Sequence, residues 1–532
     1  MPHSRQSTFA ASMLRKVAML FLAATGAAPL RAQTPSTSRG FESVRAFIVE
    51  SMQQEGIPSV AVVVAKGGKV LWEEGFGWAD RENQIPATAH TVYSLASISK
   101  PITATGLMML VEERKVDLDA PVNQYLGRGK VTGLAGDAAG ATVRRVLTHT
   151  AGLPLHFQFV YEGGGYTLPS LDESISRYGI LVYPPGEVFE YSNMGFGILG
   201  EVIARTATWE ITDYLSPRSR SADMSFPDYM RTRVFLPLGM THSSIGIAPG
   251  LERYAAVRYD DLDRPIPYYE FDHDGASQAW SSAHDLVRFG MFHLKDHLKD
   301  QKPILNDTTI DLMQRNAVPA SVGVVRGLPW DISDDHGFRK IAHGGGMPGV
   351  STTLALYPAE DVVVVVLTTK TNQSMPRIAE ELVAAVIPKY ETALREERRQ
   401  PRPAPPKLRF EPASGLVGRW SGSLVTWQQK IPFELEVAEN GRVFMRLGDQ
   451  LQSTLSSVDV QGVRLTGRAR GTIPTPDANR HPHEIILDLR MRGNRLGGQA
   501  SAHAVTVPGD RVQTSYGHYM LTSYVDLVKK SP

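Results

Sequence analysis

The sequence predicts an α+β protein in two parts: an antiparallel sheet flanked by helices, with an all-helical portion, then a small antiparallel β-barrel. Three observations carry this. Near the N-terminus, "SVAVVVAKGGKVLWEEGFGWAD" is an apolar β run, a Gly67-Gly68 turn and a second run, which together read as a hairpin. Strands return in "GVSTTLALYPAEDVVVVVLTT", so helices fill the middle between the segments that open and close the sheet. Beyond the charged, proline-rich "REERRQPRPAPPK", the runs "GLVGRWSGSLV", "KIPFELEVAENGRVFMRLG", "GVRLTG" and "HEIILDLRMRGNRLGGQASA" look like short alternating strands with Glu-Asn-Gly and Gly-Asn turns.

Each element has its own signal. From Phe41 to Gly56, the residues Val44, Phe47, Ile48 and Met52 share one helix face, and Gly56 followed by Pro58 ends it. A helix runs from about Ser97 through Glu113, with Pro101 in its first turns, where a missing N–H costs least. Short helices are expected in "TVRRVLTHTAGLP", "NMGFGILGEVIARTA", "FPDYMRTRVFLPLGM" and "SAHDLVRFGMFHLK", and "TDYLSPRSRSADMS" reads as an inserted loop. A last helix is expected in "MPRIAEELVAAVIPKY", before a linker over 393–410 stiffened by its prolines and a barrel over 411–530.

At 532 residues the chain suits two or three domains. Its first stretch, "RKVAMLFLAATGAAPLRAQ", has the basic, apolar and small-residue order of a secretory leader, with a cut expected near Ala32. Export to a periplasm or beyond the cell is therefore expected, with no membrane span left after cleavage. Removing residues 1–32 takes four basic residues and no acid, so the formal charge falls from +1 to −3. That charge offers no footprint for nucleic acid or an anionic membrane. The chain has no cysteine, which excludes thiol catalysis, thiolate-bound metal and disulfides.

Three short motifs could carry chemistry. Ser97 and Lys100 form the one Ser-x-x-Lys of the chain; on a helix, i and i+3 meet on one face, so the amine can activate the hydroxyl. Tyr191-x-Asn193 is unique too, and a cation nearby would push the tyrosine two or three pH units toward phenolate. The bland alternative for it is a core tyrosine and an N-cap asparagine. In "AHGGGMPGVSTTLALYP" three glycines precede a strand, where they allow close approach and expose N–H groups. "FDHDG" and "HPHE" look metal-like but lack helical His-x-x-x-His spacing or a credible third ligand, so no metal or cofactor is expected. No Gly-x-Ser-x-Gly elbow exists.

In that order and at these separations, "SISK", "YSN" and "HGG" resemble the serine β-lactamase and penicillin-binding fold, above all class C β-lactamases, related D-peptidases and family VIII esterases. "LTHTAGLP", "VFLPLGMTHSSIG" and "SSAHDLVRFG" stand where that family has similar phrases, and the likeness spans about Phe41 to Tyr390, within a domain taken as 41–392. The resemblance implies Ser97 as acyl-forming nucleophile and Lys100 with Tyr191 as the proton-transfer pair. It implies Asn193 as an amide binding the lysine and the substrate, and the backbone N–H groups of Ser97 and Gly346 as the oxyanion hole. His149 would sit in a structural turn. His343-Gly344-Gly345 departs from the usual Lys-Thr-Gly: a neutral histidine replaces a cation facing the substrate carboxylate, which favours simple esters or peptides over penicillins. Gly418-x-Trp420 is similar to the lipocalin opening.

The expectation is thus an exported serine hydrolase acting on a small ester, amide or D-amino-acid peptide. The alternatives are a β-lactamase or D-alanyl-D-alanine carboxypeptidase, or a non-catalytic binder working through the barrel.

Overall fold

The computed structural model describes residues 40–211, 220–315, 317–400 and 408–531. The leader read over 1–32, most of the inserted loop and the centre of the proline-rich linker lie outside them.

Nine strands form the first sheet, in the order Val318–Ser321, Val324–Arg326, Asp331–Asp335, Phe338–Met347, Val350–Tyr357, Val362–Thr368, Ser59–Lys66, Lys69–Asp80 and Ile85–Pro86. Every neighbouring pair is antiparallel. The valine run alternates sides as a strand must. Val60, Val62 and Val64 pack with Val362, Val364 and Val366 against Val44 and Ile48 of helix Glu42–Glu55 and Ile378 and Leu382 of helix Met375–Val386. Ala61, Val63, Ala65, Val363 and Val365 face the other way, onto Leu286 and Phe289 of helix Ala283–Leu294. Both faces are covered, so the central strands read as continuous apolar runs rather than alternating ones. The hairpin turn is made by Gly67 (φ 59°) and Gly68 (φ 68°), a left-handed pair that fits the twist of the flanking strands.

Helix Ser99–Glu112 runs through the middle of the helical part and is buried from Ser99 to Leu110, against helices Asn193–Thr206 and Asp274–Ser277. Two expected helices differ. "FPDYMRTRVFLPLGM" forms only a short turn, Phe226–Tyr229, running into a π-helical segment, Met230–Phe235. The last helix breaks before Pro388, whose missing N–H cannot continue the ladder, into Met375–Val386 and Pro388–Glu397. The second piece runs into the charged stretch read as linker from 393.

The C-terminal strands form one sheet, in the order Phe410–Pro412, Ser456–Gly462, Arg464–Arg470, His483–Arg492, Arg495–Ala504, Tyr519–Lys529, Gly418–Val425, Lys430–Val437, Val443–Leu447 and Ser453–Thr454. It is a half-barrel. Among the described residues its end strands do not pair with each other; they are three and two residues long, too short to set the stagger that closure needs. Trp420 is buried, and its indole N–H donates to the Leu416 carbonyl at 2.9 Å.

This sheet is also joined to the helical part. Strand Phe157–Tyr161 pairs with the start of Tyr519–Lys529, placing Phe157 opposite Met520, and on its other side with Tyr269–Phe271.

Candidate active site

From Thr91 to Leu110 every residue is buried except Ser97. The exception is made by local geometry. Ala96 sits at φ 49°, a left-handed conformation disfavoured for a residue with a Cβ, and Ser97 follows in the 3-10 turn Ala96–Ile98 just before helix Ser99–Glu112. Ser99 pins the turn: its hydroxyl donates to the Ala96 carbonyl at 2.6 Å and accepts from the Ala279 N–H at 2.9 Å. The chain can therefore present one hydroxyl outward from an otherwise closed segment.

Lys100 lies one turn along and is fully buried. Its Nζ is 3.1 Å from Ser97 Oγ, 2.8 Å from Asn193 Oδ1 and 3.1 Å from the Ala276 carbonyl oxygen. Burial, aided by the nearby Arg326 charge, holds the amine well below the ordinary lysine range. Helix Asn193–Thr206 begins beside it, capped by Ser192 and not by Asn193; the Ser192 hydroxyl accepts from the Gly195 N–H at 2.9 Å. That leaves the Asn193 amide to accept from Lys100 and to donate to the His156 carbonyl at 3.3 Å.

Tyr191 hydrogen-bonds the Ser97 side chain, and the Lys100 amine lies 4.8 Å from its ring centre. Its ionisation departs from the sequence expectation. Burial pushes the phenol up to about 12; the hydrogen bond with Ser97 and the Arg326 charge offset only part of that. The sequence shows a lysine nearby but not how dry the pocket is, and desolvation of the phenolate wins.

The His-Gly-Gly segment lies on strand Phe338–Met347, paired with Val350–Tyr357 so that Gly345 faces Thr352 and Gly346 faces Ser351. Gly345 lets this strand press onto the Ser97 turn: a Cβ there would lie 2.2 Å from the Leu95 carbonyl oxygen. His343 is 3 % exposed; its Nδ1–H donates to the Gly344 carbonyl at 2.7 Å and its Nε2 is buried without a partner. Burial, then the charges of Arg326 and Lys100, holds it well below the ordinary histidine range, so it is neutral.

A cavity of about 290 Å³ opens over Ser97, Tyr191, Asn193 and Gly346. His343, Gly344 and Gly345 do not line it. Its walls are apolar: Leu155, Phe157, Phe159, Phe271, Met347 and Met520. The C-terminal sheet and the loop before its strand Tyr519–Lys529 complete it with His503, Ser515 and Tyr516, and among the described residues no lysine or arginine lines it. A Cβ on Gly346 would lie 2.3 Å from the Tyr516 hydroxyl oxygen, so that phenol reaches the strand where an oxyanion donor was expected.

The beta-lactamase family matches the chain over residues 44–387. The chain belongs to that family. Its members are generally serine hydrolases. The human protein beta-lactamase-like 1 is 25% identical over 395 residues, 71% of this chain and 74% of its own. Among solved structures, an octameric penicillin-binding protein homologue from Pyrococcus abyssi superposes with a TM-score of 0.55 at 20% identity, covering 91% of this chain and 99% of that one. A class C beta-lactamase superposes with a TM-score of 0.54 at 20% identity, covering 67% of this chain and 99% of its own. These likenesses carry the beta-lactamase/transpeptidase fold.

Residues outside the three motifs shape the site. His149, in the turn after helix Val143–Leu147, accepts from the Ser192 N–H at 3.0 Å and packs its ring 4.4 Å from that of Tyr191. It props the tyrosine. Arg326 was not visible as a site residue, because nothing in "VGVVRGLPW" marks it, yet its charge reaches Lys100, Tyr191 and His343. "FDHDG" does find a third partner, contrary to the sequence reading: His156 brings its Nε2 to 2.8 Å from Asp272 Oδ2, with His273 Nδ1 at 3.1 Å from Oδ1. The same carboxylate accepts from the backbone N–H and the side-chain amide of Gln158, both at 3.0 Å. Three hydrogen bonds, one from His156 and two from Gln158, thus hold the carboxylate, and the cluster reads as a brace behind Asn193.

Proposed function

We propose that this protein is an exported serine hydrolase that transfers the acyl group of a small ester, amide or D-amino-acid peptide through Ser97, and that esters with an apolar acyl group suit it best. The observation that carries this is the open Ser97 hydroxyl 3.1 Å from a buried, deprotonation-prone amine, at the floor of an apolar cavity.

The steps follow from the groups present. Neutral Lys100 donates to Asn193 Oδ1 and the Ala276 carbonyl, which leaves its lone pair toward Ser97. As Ser97 Oγ attacks the carbonyl carbon, its proton passes to Lys100. The oxyanion is held by the backbone N–H groups of Ser97 and Gly346; one such donor is typically worth about 3 kcal/mol in the transition state. Tyr191, a neutral phenol, gives its proton to the departing oxygen or nitrogen as that bond breaks and regains one from Lys100. Water then enters by the reverse path and frees the acid. With Tyr191 protonated at rest, Lys100 is the base of the pair.

The lack of a lining cation and the neutral His343 favour esters over carboxylate-bearing β-lactams. Turnover of p-nitrophenyl butyrate with a kcat/KM at least a hundredfold above that for benzylpenicillin supports this reading. The opposite ratio would move it to the alternative, a β-lactamase or D-alanyl-D-alanine carboxypeptidase. The lipocalin likeness of the C-terminal sheet belongs to the same proposal, with the buried Trp420 as support and the role of a cover over the site. The rival, binding through that sheet, has a cleft of about 530 Å³, but Arg446 and Glu434 in it already satisfy each other. Export rests on the leader, and N-terminal sequencing of the protein recovered outside the cytoplasm tests it: a start after Ala32 is expected.

A further inference from the structure

We propose that Arg326, outside all three motifs, is a positioning residue for the reaction: its guanidinium is the fixed positive charge that keeps Lys100 in the neutral form able to take the Ser97 proton. The proposal rests on the serine-hydrolase reading above.

Arg326 closes strand Val324–Arg326, in register with Asp331, which is in register with Ala342, the neighbour of His343. Two strands thus carry the charge sideways to the edge of the site. The side chain is buried, 5 % exposed. Its guanidinium carbon lies 5.7 Å from the Tyr191 ring centre and 5.5 Å from that of Phe189. One amino group donates to the Pro329 carbonyl at 2.7 Å, the other pairs with Asp331 Oδ1 at 2.8 Å, and Nε is buried without a partner. Burying a guanidinium this incompletely satisfied is costly, and Asp331, itself a third exposed, neutralises it only in part.

The other groups facing this charge leave it unopposed. From the turn after helix Val143–Leu147 comes His149, from the start of helix Asn193–Thr206 comes Tyr191, from strand Phe338–Met347 comes His343, and from helix Ser99–Glu112 comes Lys100. His149 and His343 are both held well below the ordinary histidine range, with the Arg326 charge second to burial among the causes. Behind Lys100, Asp272 is occupied by His156, His273 and Gln158. With both histidines neutral, Arg326 is the fixed cation of the cluster among the described residues. A cation here disfavours protonated Lys100 and favours any anion that develops on Tyr191 or the substrate oxygen. Removing it raises the pH at which the base becomes available; removing Asp331 lowers it.

The test is the rate of Ser97 labelling by a fluorophosphonate from pH 5 to 10, with unfolding midpoints measured alongside. Arg326→Met is expected to slow labelling at pH 7 at least tenfold and to move the midpoint of the acidic limb up by about one pH unit. Arg326→Lys should recover the rate to within threefold, and Asp331→Asn should move the limb down. A folded Arg326→Met with an unchanged limb overturns the proposal, as does an Arg326→Lys that behaves like it, since the guanidinium would then serve only to tie down Pro329. If Arg326→Met does not fold, Asp331→Asn decides alone: a downward shift supports the charge effect and an unmoved limb refutes it. Failure of the underlying reading looks different, because wild-type protein would then not label at Ser97 at any pH.

Discussion

Replacing Gly345 by alanine puts a methyl group where the strand Phe338–Met347 meets the Ser97 turn. The added Cβ would lie 2.2 Å from the Leu95 carbonyl oxygen and 2.3 Å from Thr352 Oγ1, against an ordinary contact of about 3.5 Å. The threonine can rotate. The carbonyl cannot, because it belongs to the buried backbone one residue before Ala96 and accepts from Thr352 at 3.0 Å. The strand and the turn must therefore part by about 1 Å, which displaces Gly346 from Ser97. A misplacement of that size costs about a hundredfold in rate, and overpacking costs about 1–3 kcal/mol of stability. Gly344→Ala is the internal control: its Cβ would come no closer than 3.6 Å, to the Thr352 carbonyl, at an exposed position. The assay is kcat/KM for p-nitrophenyl butyrate with urea unfolding of both variants. Gly345→Ala within threefold of the wild-type rate, or a Gly344→Ala as damaged as Gly345→Ala, would refute the close-approach argument.

Tyr516→Ala should enlarge the cavity and shift preference toward longer acyl chains. Each methylene newly buried contributes about 0.8 kcal/mol, so the octanoate-to-butyrate ratio of kcat/KM should rise at least tenfold, and an unchanged ratio would remove Tyr516 from the substrate wall. Glu190, next to Tyr191, is raised by burial, with Asp488 adding to it, to about 7. A carboxyl bound more tightly to its proton in the folded state is most stabilising below its unfolded value near 4.3, and that contribution is lost as the pH rises to about 7. Glu190→Gln should therefore stabilise the protein at pH 8 by about 2 kcal/mol, after a discount for partial exposure, and leave it unchanged at pH 4. Equal effects at both pH values would contradict this sign.

What the sequence revealed was local. The Gly67-Gly68 hairpin, the helix ended by Gly56 and the Ser97–Lys100 spacing each depend on near neighbours and were legible. The structure brings Ser97, Lys100, Tyr191 and Asn193 together, with Gly346 across the cavity. What was hidden needed the tertiary arrangement. Arg326 reaches the site through two strand registers, Tyr516 and His503 arrive from the C-terminal part, and His156 joins Asp272 from a distant segment. The state of Tyr191 is not legible in the sequence, which shows charges but not how dry the pocket is. Among the described residues the end strands of the half-barrel do not pair with each other, a property of pairing that alternation alone does not reveal.

The most direct measurement is the intact mass of the mature protein after exposure to a fluorophosphonate, beside Ser97→Ala treated alike. The account expects one adduct, located on the peptide carrying Ser97 and absent from the variant, with both proteins unfolding at the same temperature. No adduct on the folded wild type, or one that persists in Ser97→Ala, would contradict the claim that this hydroxyl is the nucleophile.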